Sequence, residues 1–474
     1  MRGLVVCVAL ACACADGREA RDAVVVNAIV DVELPILRTR PVLAADKLAA
    51  MAADPIDFHR GSIALWARDW RSGRRGAAAS SFGVGGRVLA VGLGDPHPGN
   101  FGVLRASDGT LALEPNDLDA ADRVPALWDL RRFTVGLVLW ARAGGLDDAA
   151  ARDVVWQAVF AYADGGGARV TGGEDPILDE LFDDAAKDWE AHEELETLTT
   201  VDEDTGERRF VRGVPDPDAP GDGLADLVPT ARGALPAALD AYRTTLLAPV
   251  APETFAVLDA VRIFGRGVAS RARVRLLVLV RGASDAPDDD VILELKEVGA
   301  GGAATTIVPP GVSSDDEAVR IVAAARRLWA RADGEPRLGS THLLGLPVLV
   351  RQEARGNKGL GPSRLLDVDE AERAGALTQL ARVLARIVAR AHDGDPAALV
   401  VDGDDARRAF ADEEADLALV LADGVDADRQ ALADALAELG PTLGIAPSPP
   451  GDVPADVRAL IGTPPPLPLP LDSP

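Results

Sequence analysis

The run GDPHPGNFG at residues 94–102 constrains the fold more than any other stretch, because it can be neither helix nor strand. Its prolines lack backbone donors and its glycines admit turns closed to other residues. Asp95, His97 and Asn100 therefore stand on a loop of fixed shape. The flanks give that loop its setting. GRVLAVGLGD reads as a buried strand running into it, and NFGVL and TLALEPNDLD read as two strands joined at the Ser107-Asp108-Gly109 turn. Such a hairpin returns Asp117 and Asp119 to the side of the loop. PALWDLRRFTVGLVLWARA then has helical periodicity, with Trp128, Leu130, Phe133 and Leu137 turned inward.

Those side chains suit one chemistry. Phosphoryl transfer needs a carboxylate to orient or deprotonate the acceptor hydroxyl, and Mg²⁺ held by hard oxygen ligands against the phosphates. Asp95 supplies the first. Asn100 and Asp117, meeting across the hairpin, are suited to the second.

On these residues the segment from Gly94 to Leu130 resembles the catalytic and metal-binding segment of aminoglycoside phosphotransferases and related protein-kinase-like enzymes. The resemblance implies Asp95 as catalytic base, Asn100, Asp117 and Asp119 as metal ligands, and His97 and Asp129 (in WDL) as loop braces. Leu93 stands where the pattern has a His before Gly-Asp. A kinase-like site also needs a phosphate-covering Gly turn and a Lys, and these lie after the catalytic loop. FGRGVASRARVRLLVLVRG places Gly265 and Gly267 between two strands, and Lys296 follows on the strand VILELKEV. Backbone N–H groups at a Gly turn approach phosphates closely, and an ammonium is a suitable point charge for them. Arg351 and Lys358 in VLVRQEARGNKGL either face the nucleotide or flank a strand. Glu317 either pairs with Lys296 or closes a Ser314-x-x-Glu317 capping box, which we favour. The expected fold is α+β, protein-kinase-like and two-lobed, with circularly permuted order.

The whole order resembles the bacterial family catalogued as domain of unknown function 2252. Its marks here are FHRG at Phe58–Gly61, GDPHPGNFG, NDLD, WDLRR, the Gly turn before LELKE, VLVRQEARGNKGL and ARAHD. Arg60 is carried over as an accessory site residue on this basis. The likeness covers about residues 40–395. We expect one kinase-like unit over 16–395, with its catalytic segment at 90–135, Gly turn and Lys strand at 261–300 and a helix at 371–392. The short apolar segments of 16–90 precede one amphipathic helix, GVPDPDAPGDG at 213–223 reads as a linker, 396–439 as a helical extension, and the Pro-rich 440–474 as lacking regular structure.

Composition narrows the rest. Nearly half of the 474 residues are apolar, which allows a large core, and the net charge of −26 argues against nucleic acid or anionic membrane as partner. Cys7, Cys12 and Cys14 are the only cysteines, so the body has no disulfide framework. Residues 1–15 read as a signal peptide ending in Ala13-Cys14-Ala15, implying export; lipoprotein processing at Cys12 is a weaker match, and a start further downstream would leave the protein cytoplasmic. No later stretch is a membrane-span candidate. The expected partners are Mg²⁺, ATP and an acceptor whose identity the sequence does not give; oligomeric state is equally open. A silent kinase-like ligand-binding protein is the alternative, favoured by export. None of the five histidines forms a zinc-type pair, and no G-x-S-x-G appears, so a zinc or serine hydrolase is disfavoured.

Overall fold

The computed structural model describes residues 20–461, apart from 83–87, 174, 213–214, 217–218, 251–254, 265–266, 269, 285, 300–315, 396, 450 and 454. The expected signal peptide, Gly265, Ser314 and the last part of the Pro-rich segment lie outside the described residues.

The protein is mixed α+β, with its sheets antiparallel. Four helices open it: α1 (Arg21–Thr39), α2 (Pro41–Ala53), α3 (Pro55–Gly61) and α4 (Ile63–Ser72). This corrects the expectation of short apolar segments before one helix. The Val- and Ile-rich start of α1 looks strand-like, but Val25, Val26, Ile29, Ile36 and Leu37 are all buried at helical spacing. The hairpin expected after the PGN turn forms as β1 (Phe101–Arg105) and β2 (Leu111–Pro115), with Phe101 opposite Pro115.

The helix α5 (Ala126–Ala143) is buried on every side from Ala126 to Ala141. A helix buried around its circumference, its Asp129, Arg131 and Arg132 included, needs cover all round. The cover comes from α6 (Asp148–Ala163) and three helices of other regions. After α6, the chain adds α7 (Pro176–Ala191) and α8 (Glu193–Leu198), then short hairpins β3 (Thr199–Val201) with β4 (Arg208–Phe210) and β5 (Pro215–Asp216) with β6 (Ala219–Gly223). Thus paired strands occupy part of the stretch expected as a linker.

Next come β7 (Ala225–Asp226), α9 (Pro229–Arg243), β8 (Val257–Ile263), β9 (Arg275–Val280), β10 (Val291–Glu297), α10 (Glu317–Leu328), β11 (Gly339–Leu343) and β12 (Leu346–Gln352). The six strands form one sheet in the order β11-β12-β10-β9-β8-β7. Its alternation sorts β10 cleanly. Leu293 and Leu295 join the core beneath α9, while Ile292, Glu294 and Lys296 belong to the opposite face. Register puts Lys296 beside Arg275 of β9 and Leu349 of β12.

The chain closes with α11 (Ser363–Leu366), α12 (Arg373–His392), the 36-residue α13 (Asp404–Leu439) and α14 (Ala455–Ile461). The helix α13 is part of the core. Fully buried Arg131 of α5 donates to both carboxylate oxygens of Glu414 on α13, at 2.8 and 2.6 Å, and to the carbonyls of Ala77 and Ala79. The Pro-rich segment is also less irregular than expected, since α14 buries Leu460 against the α9 side of the sheet. Among the described residues no helix is long and apolar enough to cross a membrane.

Candidate active site

The strand expected over 86–95 does not form in its described part; Val88 and Gly92 make only isolated bridges, to Pro125 and Asp122. Side chains claim the backbone donors of Ala90, Leu93 and Gly94, while those of Leu89 and Gly92 bond the carbonyls of Val124 and Asp122. Asp129, at the start of α5, accepts from Leu93 N at 2.7 Å and Gly94 N at 2.8 Å, and Asp395 accepts from Ala90 N. Trp128 Nε1 donates to Gly94 O. Gly94 has φ +78°, and a Cβ there would lie 2.0 Å from Ala120 O, so no other residue fits. The loop is thereby stitched to the first turn of α5.

Asp129 has a third partner. His392 Nε2 donates to it at 3.0 Å, while His392 Nδ1 accepts from the Tyr162 hydroxyl at 2.8 Å. Thus the end of α12 braces the loop through Asp129, from which His392 is 263 residues away in sequence. ARAHD is one of the marks quoted above; its histidine had no role assigned.

Asp95 sits at the loop's bend, buried. Its Oδ1 accepts from Arg132 Nε at 2.9 Å and Nη2 at 2.6 Å, while Oδ2 lies 3.9 Å from His97 Nε2. Burial pushes the Asp95 carboxyl up to about 6, against the opposing pull of Arg132. Arg132 is held in turn by His59, whose Nδ1 accepts from Nη1 and whose carbonyl accepts from Nη2. His59 and His97 are both buried and held neutral, their pKa values pushed well below the usual range first by burial and then by neighbouring arginines. Neither Arg132 nor His59 was singled out in the sequence, although FHRG and WDLRR contain them. Asn100 donates from Nδ2 to Asp95 O at 2.8 Å, which pins the two ends of the loop together.

Asp117 and Asp119 follow β2, as the hairpin requires. Lys296 Nζ lies 2.7 Å from Asp119 Oδ2 and 3.6 Å from Asp117 Oδ1. Burial raises Asp117, but Lys296 and a backbone donor outweigh it and hold the carboxyl at about 2. Asp119 moves the other way, raised by burial and by Asp117. Burial pulls the Lys296 ammonium down, but Asp117 and Asp119 outweigh it and raise the group above its usual value. Arg320 of α10 fixes the backbone here, donating to the carbonyls of Asp119 and Ala121.

Two joined cavities meet over these acids. The sheet half, about 220 Å³, is lined by Lys296, Arg275, Glu294 and Arg351. The helical half, about 130 Å³, runs under α1–α4 and includes Asp95 and His97. Arg60, Asn100, Asp117, Asp119 and Gly267 line both. Gly267 has φ +70°, as a tight turn demands. Arg351 also bonds Glu335 and Asn116 O.

Two expected residues lie elsewhere. Lys358 pairs with Asp188 of α7. Glu317 binds Arg320 at 2.6 Å, not Lys296, and the N-cap of α10 is Asp316, which accepts from Val319 N. A two-residue shift of the N-cap, from the expected Ser314 to Asp316, thus replaces the expected capping box.

Fold and site together define a class: a mixed α+β protein whose polar cleft joins a Lys-bearing antiparallel sheet to a Gly-Asp-x-His-x-x-Asn loop. Residues 38–435 match the family described as an uncharacterized protein conserved in bacteria, DUF2252, and the chain belongs to it. Comparison with curated proteins and with solved structures gave no match.

Proposed function

We propose that the cleft transfers a phosphoryl group from Mg²⁺-bound ATP to an acceptor hydroxyl, the sheet half taking the triphosphate and the helical half the acceptor. One observation carries the reading. Lys296 of the sheet meets Asp117 and Asp119, which with Asn100 line both the cavity beside Lys296 and the adjoining one that holds Asp95. On this reading Lys296, Arg275 and Gly267 receive the phosphates and Asp95 takes the acceptor proton on Oδ2. The fold is then kinase-like with rearranged order, the catalytic hairpin preceding the Gly turn and Lys strand.

The donor set fits a cation brought in with the nucleotide. Among the described residues no group of three or more His, Cys, Asp or Glu side chains would hold an ion by itself. Mg²⁺ characteristically takes one or two carboxylates and completes its shell with phosphates and water. Asp119 Oδ1 is buried with no donor, as an oxygen awaiting a cation would be. Asp117, Asp119 and Asn100 would hold Mg²⁺, which when bound neutralises phosphate charge.

Calorimetric titration with ATP, with and without Mg²⁺, tests this. Binding that requires Mg²⁺ and is lost in Asp117→Asn is the expected result. No binding by folded protein in either condition overturns the proposal.

The ion pair between Asp95 and Arg132 favours a second reading, a cleft that binds its ligand without transfer. Asp95→Asn separates the two, since a binding protein keeps all its measurable function in that variant.

A further inference from the structure

The helical half of the cleft holds a charged pair that the chemistry above does not use. Glu33 on α1 and Lys47 on α2 are 8% and 4% exposed, and Lys47 Nζ donates to Glu33 Oε1 at 2.6 Å. The other oxygen, Glu33 Oε2, is buried and has no donor. Leaving a buried carboxylate oxygen unpaired is costly, so such an oxygen on a cavity wall marks a place for a ligand's donor. Both residues line the cavity, whose wall also carries apolar Ile29, Val32, Ile63 and Val298 alongside charged Arg60, Arg273 and Glu297. The same cavity reaches Asp95.

Size adds a second constraint. The cavity of about 130 Å³ is close to the engineered cavity of about 150 Å³ that takes up one benzene molecule. It has room for one six-membered ring.

Building on the phosphotransferase reading, we infer that the acceptor is a small alcohol with a ring-sized apolar body, its hydroxyl at Asp95 and a hydrogen-bond donor at its far end accepted by Glu33. The acceptor oxygen forms a bond to the γ-phosphorus of ATP, and the bond from that phosphorus to the β–γ bridging oxygen breaks. ADP leaves with the electron pair, and the hydroxyl proton passes to Asp95 Oδ2. The products are ADP and a phosphate monoester. The head of the acceptor is an ammonium or a neutral hydroxyl, both of which donate to a carboxylate.

The test uses the full chain and three cyclohexanols carrying an amino group, a second hydroxyl or a methyl group on the opposite ring carbon. Calorimetry with a non-hydrolysable ATP analogue and Mg²⁺ gives the affinity of each, and product assays with ATP give transfer. The amino or hydroxyl compound, or both, should bind more than about tenfold tighter than the methyl compound, the difference a charged hydrogen bond makes. Preference for the amine identifies an ammonium head; equal binding of amine and diol identifies a neutral donor. Glu33→Gln should erase a preference for the amine. Should that variant fold poorly, Glu33→Leu with Lys47→Met removes both charges together and should reverse the order in favour of the methyl compound. Equal binding of all three alcohols while the nucleotide still binds overturns this inference and leaves the phosphotransferase reading standing. Failure of the nucleotide to bind overturns both.

Discussion

Asp95 gives one carboxylate oxygen to Arg132, and on the proposed reading the other takes the acceptor proton. Its pKa of about 6 means that it is mostly ionised at neutral pH and can accept a proton. A base must be deprotonated to act, so kcat/KM for transfer should fall as pH drops through about 6 and level off above it. Arg132 pulls that pKa down, so Arg132→Gln should move the acid limb of the profile to higher pH. A limb that stays in place would show that Asp95 is not the titrating base. Asp95→Asn should lower transfer by about 10²–10⁴-fold while nucleotide affinity holds, read from parallel kinetics and calorimetry. At Gly94 the backbone itself is at stake. Gly94→Ala should lower stability by several kcal/mol, because the added Cβ meets Ala120 O at 2.0 Å and φ is +78°. A denaturant midpoint close to that of the parent would contradict this.

At the scale of elements, the β1–β2 hairpin, α5 and the Lys strand were legible because each has an unambiguous period and a turn or loop of marked composition. The strand expected at 86–95 was not, and the cause is specific. Three of its donors are taken by the side chains of Asp129, on the next helix, and Asp395, near the other end of the chain, and no local pattern reveals that competition. The same holds for the site. Asp95, Asn100, Asp117, Asp119 and Lys296 were readable from motif and rarity. Arg132, His59 and His392 were not singled out, because a buried Arg or His in a helix looks in sequence like any other. They act by holding Asp95 and Asp129 in place. His392→Ala should therefore loosen the loop more than it weakens the global fold. Faster amide exchange at Leu93 and Gly94, with a thermal midpoint lowered by only a few degrees, is the expected outcome. Unchanged exchange at those two amides would assign His392 to the core alone.

For the whole molecule, the notable feature is how distant segments are bound to the site by buried ions. Arg40, between α1 and α2, donates to both carboxylate oxygens of Glu297, the neighbour of Lys296, at 2.6 and 3.0 Å. Arg131 and Glu414 lock α13 to α5. Losing one partner of such a pair leaves a buried charge exposed to nothing, at a cost of about 3–5 kcal/mol, whereas replacing both with apolar residues is often neutral. Arg131→Met should thus destabilise by about that much, and adding Glu414→Leu should recover most of it. Simple additivity of the two losses, measured by denaturant unfolding, would show that the pair is not coupled. The expectation that 396–439 is an extension misses this arrangement, since the amphipathic pattern of a helix does not say which surface it covers.

The central claim is that Lys296 faces the phosphates of a nucleotide, and the chain has only four lysines, Lys47, Lys187, Lys296 and Lys358. An acyl-phosphate derivative of ATP acylates a lysine held beside its phosphates, and peptide mass spectrometry then reads which one has reacted. The account predicts Mg²⁺-dependent modification of Lys296, suppressed by excess ATP. Modification of Lys47 in its place would put the nucleotide in the helical half and contradict the assignment, and absence of any ATP-protected lysine would remove the nucleotide from the cleft altogether.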